Sequence, residues 1–63
     1  MELRIMTKAI REILGISQRR LSEMVGTTQS EISLIESGFI PPDPLKIQAI
    51  LRIFNKIKEG EHQ

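Results

Sequence analysis

Apolar residues return every three or four positions along most of this chain. Leu3, Met6, Ile10, Ile13 and Leu14 share one side of a 3.6-residue helix. Gly15 closes that helix, because glycine takes the left-handed C-terminal conformation cheaply. Ser17 can cap a second helix through its hydroxyl, with Leu21, Met24 and Val25 as the buried stripe and Gly26 as the stop. Thr28-Gln29-Ser30-Glu31 reads as a capping box, in which Thr28 caps the amide of Glu31 and the Glu31 carboxylate reaches back. Ile32 and Ile35 then point inward on a third helix, which Gly38 ends. Phe39-Ile40-Pro41-Pro42 is a loop, and Asp43-Pro44 supplies the cap and first residue of a fourth helix. Its stripe is Ile47, Ile50, Leu51, Phe54 and Ile57, with Ile53 beside it. No stretch alternates with period two. The pattern predicts an all-α fold, a compact bundle of four or five helices over residues 1–58, with a polar, frayed tail at 59–63.

Size narrows the range of functions. A chain of 63 residues is one domain with one thin core. Its net stability is expected to be about 5 kcal/mol. Little space is left for an enzyme cleft, and no convergent set of titratable groups appears, so catalysis is not expected. Cysteine is absent, which excludes disulfides and thiolate metal sites. The only histidine, His62, sits in the polar tail, so no metal, cofactor or small-molecule ligand is implied. No apolar run approaches the ~20 residues of a membrane span. The first residues lack a basic region followed by an apolar stretch, so the expected location is cytoplasmic.

Nine basic and eight acidic residues give a net charge of +1, which says little about partners. Their distribution says more. Residues 1–25 carry Arg4, Lys8, Arg11, Arg19 and Arg20 against Glu2, Glu12 and Glu23. Residues 26–45 carry only Glu31, Glu36 and Asp43, and the remainder is again net basic. A nucleic-acid binder usually shows a basic face, so this acidic middle needs an explanation.

Two short helices meeting at Val25-Gly26-Thr27-Thr28 suit a helix-turn-helix running from Ser17 to about Ser37. Any αα-hairpin has that spacing, but the residue identities add to it. Leu14-Gly15-Ile16-Ser17-Gln18, Leu21-Ser22, Gly26-Thr27-Thr28-Gln29-Ser30, Ile32-Ser33 and Ile35-Glu36-Ser37-Gly38 resemble the Cro/C1-type (XRE) helix-turn-helix family, to which phage repressors belong. Pro42, Ile47, Ile50 and Phe54 extend the resemblance, which covers roughly residues 10–54.

The resemblance implies a sequence-specific DNA-binding protein and transcriptional regulator. Its partner would be double-stranded DNA, met as a homodimer, and the helix starting near Thr28 would be the recognition helix. In the docking known for this family, the first helix crosses the DNA backbone and the second enters the major groove. Gln18 matches a glutamine that touches phosphate and braces the recognition helix. Gln29 matches one that reads adenine, and an amide can pair with adenine N6 and N7 on chemical grounds alone. Ser30, Ser33 and Leu34 complete the outward face, with Leu34 suited to a thymine methyl. Ser37 matches a phosphate-contacting position. Arg11 and Glu36 match a structural salt bridge that fixes the recognition helix against the first helix. Arg19 and Arg20, at the start of the second helix, are the cations placed for the backbone. Each outward residue also has a plain reading as a solvated side chain.

The chain departs from the resemblance after the recognition helix, where Phe39-Ile40-Pro41-Pro42-Asp43 replaces several basic residues. That departure supports an alternative, a protein-interaction module of the same fold (an antitoxin or adaptor) that presents Leu34, Phe39 and Ile40.

Overall fold

The computed structural model describes residues 1–60. Four helices follow one another: α1 (Leu3–Leu14), α2 (Gln18–Val25), α3 (Gln29–Glu36) and α4 (Pro44–Gly60). No strand occurs among the described residues, and no helix is long and apolar enough to cross a membrane. Helix α4 runs through Glu59 and Gly60, and the rest of the expected tail, His62 included, lies outside the described residues.

Local chemistry sets the helix ends. The Ser17 hydroxyl accepts from the Arg20 amide at 3.0 Å, and Thr28 Oγ1 accepts from the Glu31 amide at 3.1 Å. Asp43 Oδ1 accepts from the Leu45 amide at 2.9 Å. Each bond satisfies a donor that the first turn leaves free. Gly26 sits at φ 86°, and its amide donates to the Ser22 carbonyl. An L side chain would be strained at that φ, so glycine fixes the tight α2–α3 turn.

Helix α1 packs on α3 and α4, while α2 packs on α3 and less extensively on α4. The core is Ile10, Leu21, Val25, Ile32, Ile35 and Ile50, with Leu3, Ile16, Ala49, Ile53, Phe54 and Ile57 packed around it. Helices of eight residues such as α2 and α3 are too short to persist alone, so this shared core holds them.

Several residues expected in the stripes lie outside them. Ile13 and Leu14 are exposed at the C-terminal end of α1, while Thr7 is fully buried. Met24 is exposed, and Ser22 takes the inward position on α2. Both buried hydroxyls donate to their own helix, Thr7 to the Leu3 carbonyl at 2.7 Å and Ser22 to the Arg19 carbonyl at 2.6 Å. A hydroxyl satisfied in this way no longer needs water, so a small polar residue can occupy a close-packed interface. On α4 the inward face turns toward Ala49 and Ile53. Leu51, about 100° round the helix from Ile50, is left exposed. Ile53 therefore packs against the core of its own chain. In the loop, Pro41 is buried, whereas Phe39 and Ile40 are exposed.

Candidate nucleic-acid interface

Helix α3 carries two different faces. Ile32, Ile35 and Glu36 are buried, while Gln29, Ser30, Ser33, Leu34 and Ser37 are exposed. An open concavity of about 470 Å³ is lined by Gln18, Gln29, Ser30, Ser33 and Leu34. Five of the expected contact residues thus share one surface. Gln18 reaches it from the first turn of α2, which Ser17 caps, and the other four belong to α3. The side chains of Gln29, Ser30 and Ser33 form no hydrogen bond among the described residues, so their donors and acceptors face outward unused.

The remaining expected residues flank this surface. The Thr28 hydroxyl oxygen accepts the cap bond, leaving its proton available to an external acceptor. Ser37 Oγ donates to the Ser33 carbonyl at 3.1 Å. Arg20 Nη1 lies 3.4 Å from Glu23 Oε1, and both side chains are largely exposed, so this pair holds the guanidinium weakly. Arg19 is exposed and forms no ion pair among the described residues. Leu34 lines the concavity on α3, but Phe39 and Ile40 line another, of about 200 Å³, with Glu2, Leu3, Arg4 and Gly38. The three apolar residues of the protein-interaction alternative therefore do not converge on one pocket.

The expected salt bridge is formed. Arg11 Nε donates to Glu36 Oε2 at 2.6 Å, and Arg11 Nη2 donates to Oε1 at 2.9 Å. This two-pronged geometry suits a guanidinium and a carboxylate. Gln18 Nε2 also donates to Glu36 Oε1, at 3.4 Å, so the bracing expected of Gln18 is present. Burial pushes the Glu36 carboxyl up, but the bonds from Arg11 and Gln18 and the charges of Arg11 and Lys8 outweigh it. Its pKa lies below the ordinary value. The Arg11 guanidinium is correspondingly raised, chiefly by its bonds to Glu36.

The capping box is only half formed. The Glu31 carboxylate does not return to the Thr28 amide; Oε1 accepts from the Thr27 hydroxyl at 2.6 Å and meets Lys46 Nζ at 2.9 Å. A hydroxyl and an ammonium together offer the anion more than one neutral amide does. Thr27 first and Lys46 second hold the Glu31 carboxyl below its ordinary pKa. Lys46, in the first turn of α4, thereby ties α4 to the start of α3. This role leaves no signal in the sequence, since residues 15 positions apart on different helices share no periodicity. The acidic middle of the chain is thus explained: Glu31 and Glu36 are paired with cations, and Asp43 caps α4.

Two short helices meeting at a glycine turn, with the second presenting an unpartnered polar face, define a helix-turn-helix domain. A family model described as helix-turn-helix matches residues 8–61, and the chain belongs to that family, of the Cro/C1 type. Its members are DNA-binding domains of transcription regulation, and it is not an enzyme family. Comparisons with curated proteins and with solved structures gave no match.

Proposed function

We propose that this chain is a sequence-specific DNA-binding regulator that occupies its site by laying α3 in the major groove. The observation that carries the reading is the concavity of Gln18, Gln29, Ser30, Ser33 and Leu34, which gathers the unused polar groups of Gln29, Ser30 and Ser33 around one apolar side chain. Base edges are read by such groups. Arg19 and Arg20, at the start of α2, meet phosphates alongside, as the helix preceding a recognition helix does. Thr28 adds a hydroxyl contact to the backbone at the start of α3, and Ser37 adds one at its end by turning its proton from the Ser33 carbonyl to a phosphate. Two copies with recognition helices one DNA turn apart, about 34 Å, occupy a palindromic site.

Binding of the full chain to random duplex DNA, titrated against salt, tests this reading. Affinity should fall steeply as salt rises, because phosphate contacts release counterions. No binding even at low ionic strength would overturn the proposal. It would favour the second reading, a protein partner seated on the exposed Phe39 and Ile40 beside Leu3.

A further inference from the structure

Three helices meet at one oxygen of Glu31. Its Oε1 accepts from the Thr27 hydroxyl at 2.6 Å and faces Lys46 Nζ at 2.9 Å. Thr27 is itself tied to the end of α2, because its amide donates to the Ser22 carbonyl at 2.9 Å. Lys46 arrives from the first turn of α4, a helix that packs mainly on α1. The Lys46 and Glu31 side chains are only 29% and 21% exposed, so water and salt screen this pair less than the Arg20–Glu23 pair.

The junction closes around the first turn of α3, which carries Gln29 and Ser30. That turn is the part of the helix least able to hold itself. The first amides of a helix have no partner within it, and an eight-residue helix frays readily. Glu31 lies two residues beyond Gln29, about 200° round the helix, so its side chain leaves the opposite side of the turn. The junction therefore acts on Gln29 through the backbone they share and not by side-chain contact. The other end of α3 is fixed separately, by Glu36 with Arg11 and Gln18.

We propose, resting on the DNA-binding reading above, that Lys46 is a positioning residue for base selection: through Glu31 it holds the first turn of α3 so that the Gln29 amide meets its base pair in alignment. Lys46 touches no DNA in this role and does not line the concavity. Preference at one base pair then depends on a residue of α4. A two-pronged contact is sensitive to such alignment, because both of its bonds must form together.

The test compares the full chain with Lys46→Met, which removes the ammonium and keeps an apolar stem, and with Lys46→Arg, which keeps the charge. Thermal unfolding checks that both variants fold. The first readout, amide hydrogen exchange, needs no DNA. In Lys46→Met the Glu31 amide, which Thr28 caps, should exchange several-fold faster relative to the Ile35 and Glu36 amides, while Lys46→Arg should match the parent. The second readout is binding to a site selected from a random pool, and to the same site altered at the base pair where Gln29→Ala relaxes preference. The parent should discriminate between the two by about tenfold. That ratio should fall about threefold in Lys46→Met, half of the discrimination on a logarithmic scale, and survive in Lys46→Arg. Added to Gln29→Ala, Lys46→Met should change the ratio no further. An unchanged ratio with every duplex weakened alike would make Lys46 a phosphate contact, and an unchanged ratio with lower stability would make it a packing element alone. Either result overturns the inference and leaves DNA reading standing. Unchanged exchange at the Glu31 amide overturns it whatever the DNA shows. A pool that yields no bound duplex overturns the DNA-binding reading and takes the base-selecting role of Lys46 with it.

Discussion

The two faces of α3 spend the same eight residues on opposite tasks. Inward, Ile32 and Ile35 are fully buried, and Glu36 is locked by Arg11 and Gln18. Outward, Gln29, Ser30 and Ser33 leave their polar groups without partners, and Leu34 shows half its surface to water. The inward face is satisfied within the chain; the outward face is complete only against something else. Stability and recognition should therefore separate cleanly by face, although the residues alternate along one short helix.

The strongest test of that separation is Ile32→Ala. Truncating a fully buried isoleucine in a close-packed core typically costs 2–5 kcal/mol. We expect about 3 kcal/mol by urea unfolding, a large share of the total in a domain this small. The base preference of the molecules still folded should not change. A shift in preferred sequence at matched folded fraction would show that the two faces are coupled.

Arg11→Met comes next, at about 3 kcal/mol, because it leaves the Glu36 carboxylate buried without its main partner. Equal stability of variant and parent would refute the structural role of the bridge. The effect should depend on pH. The folded pKa of Glu36 is depressed, so its contribution is complete above the unfolded glutamate value of about 4.3 and is lost as pH falls through the lower folded value. The stability gap between parent and variant should be widest above about pH 5 and should narrow in acid.

How much of this was legible in the sequence depends on how local the interaction is. The caps at Ser17, Thr28 and Asp43 and the glycine at the α2–α3 turn act within four residues, so their residue types point to them. The helical stripes are only partly legible, because periodicity ranks positions by hydrophobicity alone. Periodicity favours Met24 over Ser22 and passes over Thr7, since it does not register that a hydroxyl bonded to its own backbone packs well. It selects Leu51 over Ile53, since neighbouring apolar residues on α4 leave the face undecided until other helices pack on it. Arg11 and Glu36, 25 residues apart, were legible only through family resemblance, and Glu31 and Lys46 were not legible at all. The outward set was the easier half: four of its five concavity residues follow from one helical phase, once Ile32 and Ile35 fix which side is buried.

On the outward face, Gln29→Ala removes one amide from the concavity and nothing from the core. Thermal unfolding should match the parent. Binding to a selected site should weaken by about tenfold, and preference should relax at one base pair, consistent with about 1–3 kcal/mol for a two-pronged contact. An equal loss on all sequences would place Gln29 on the backbone and not on a base.

Arg19→Ala should have the smallest effect and the most informative form. Arg19 is exposed and holds no structural bond through its guanidinium among the described residues, so stability should stay within ±0.5 kcal/mol. A phosphate contact carries no sequence information, and its loss should weaken specific and random duplexes by the same factor. It should also lower the slope of log affinity against log salt by about one unit. Gln29→Ala should leave that slope unchanged, because an amide displaces no counterion. If Arg19→Ala instead relaxed preference at one base pair with the slope intact, α2 and not α3 would be the helix at the base edges. The division between the two faces of α3 would then describe packing alone.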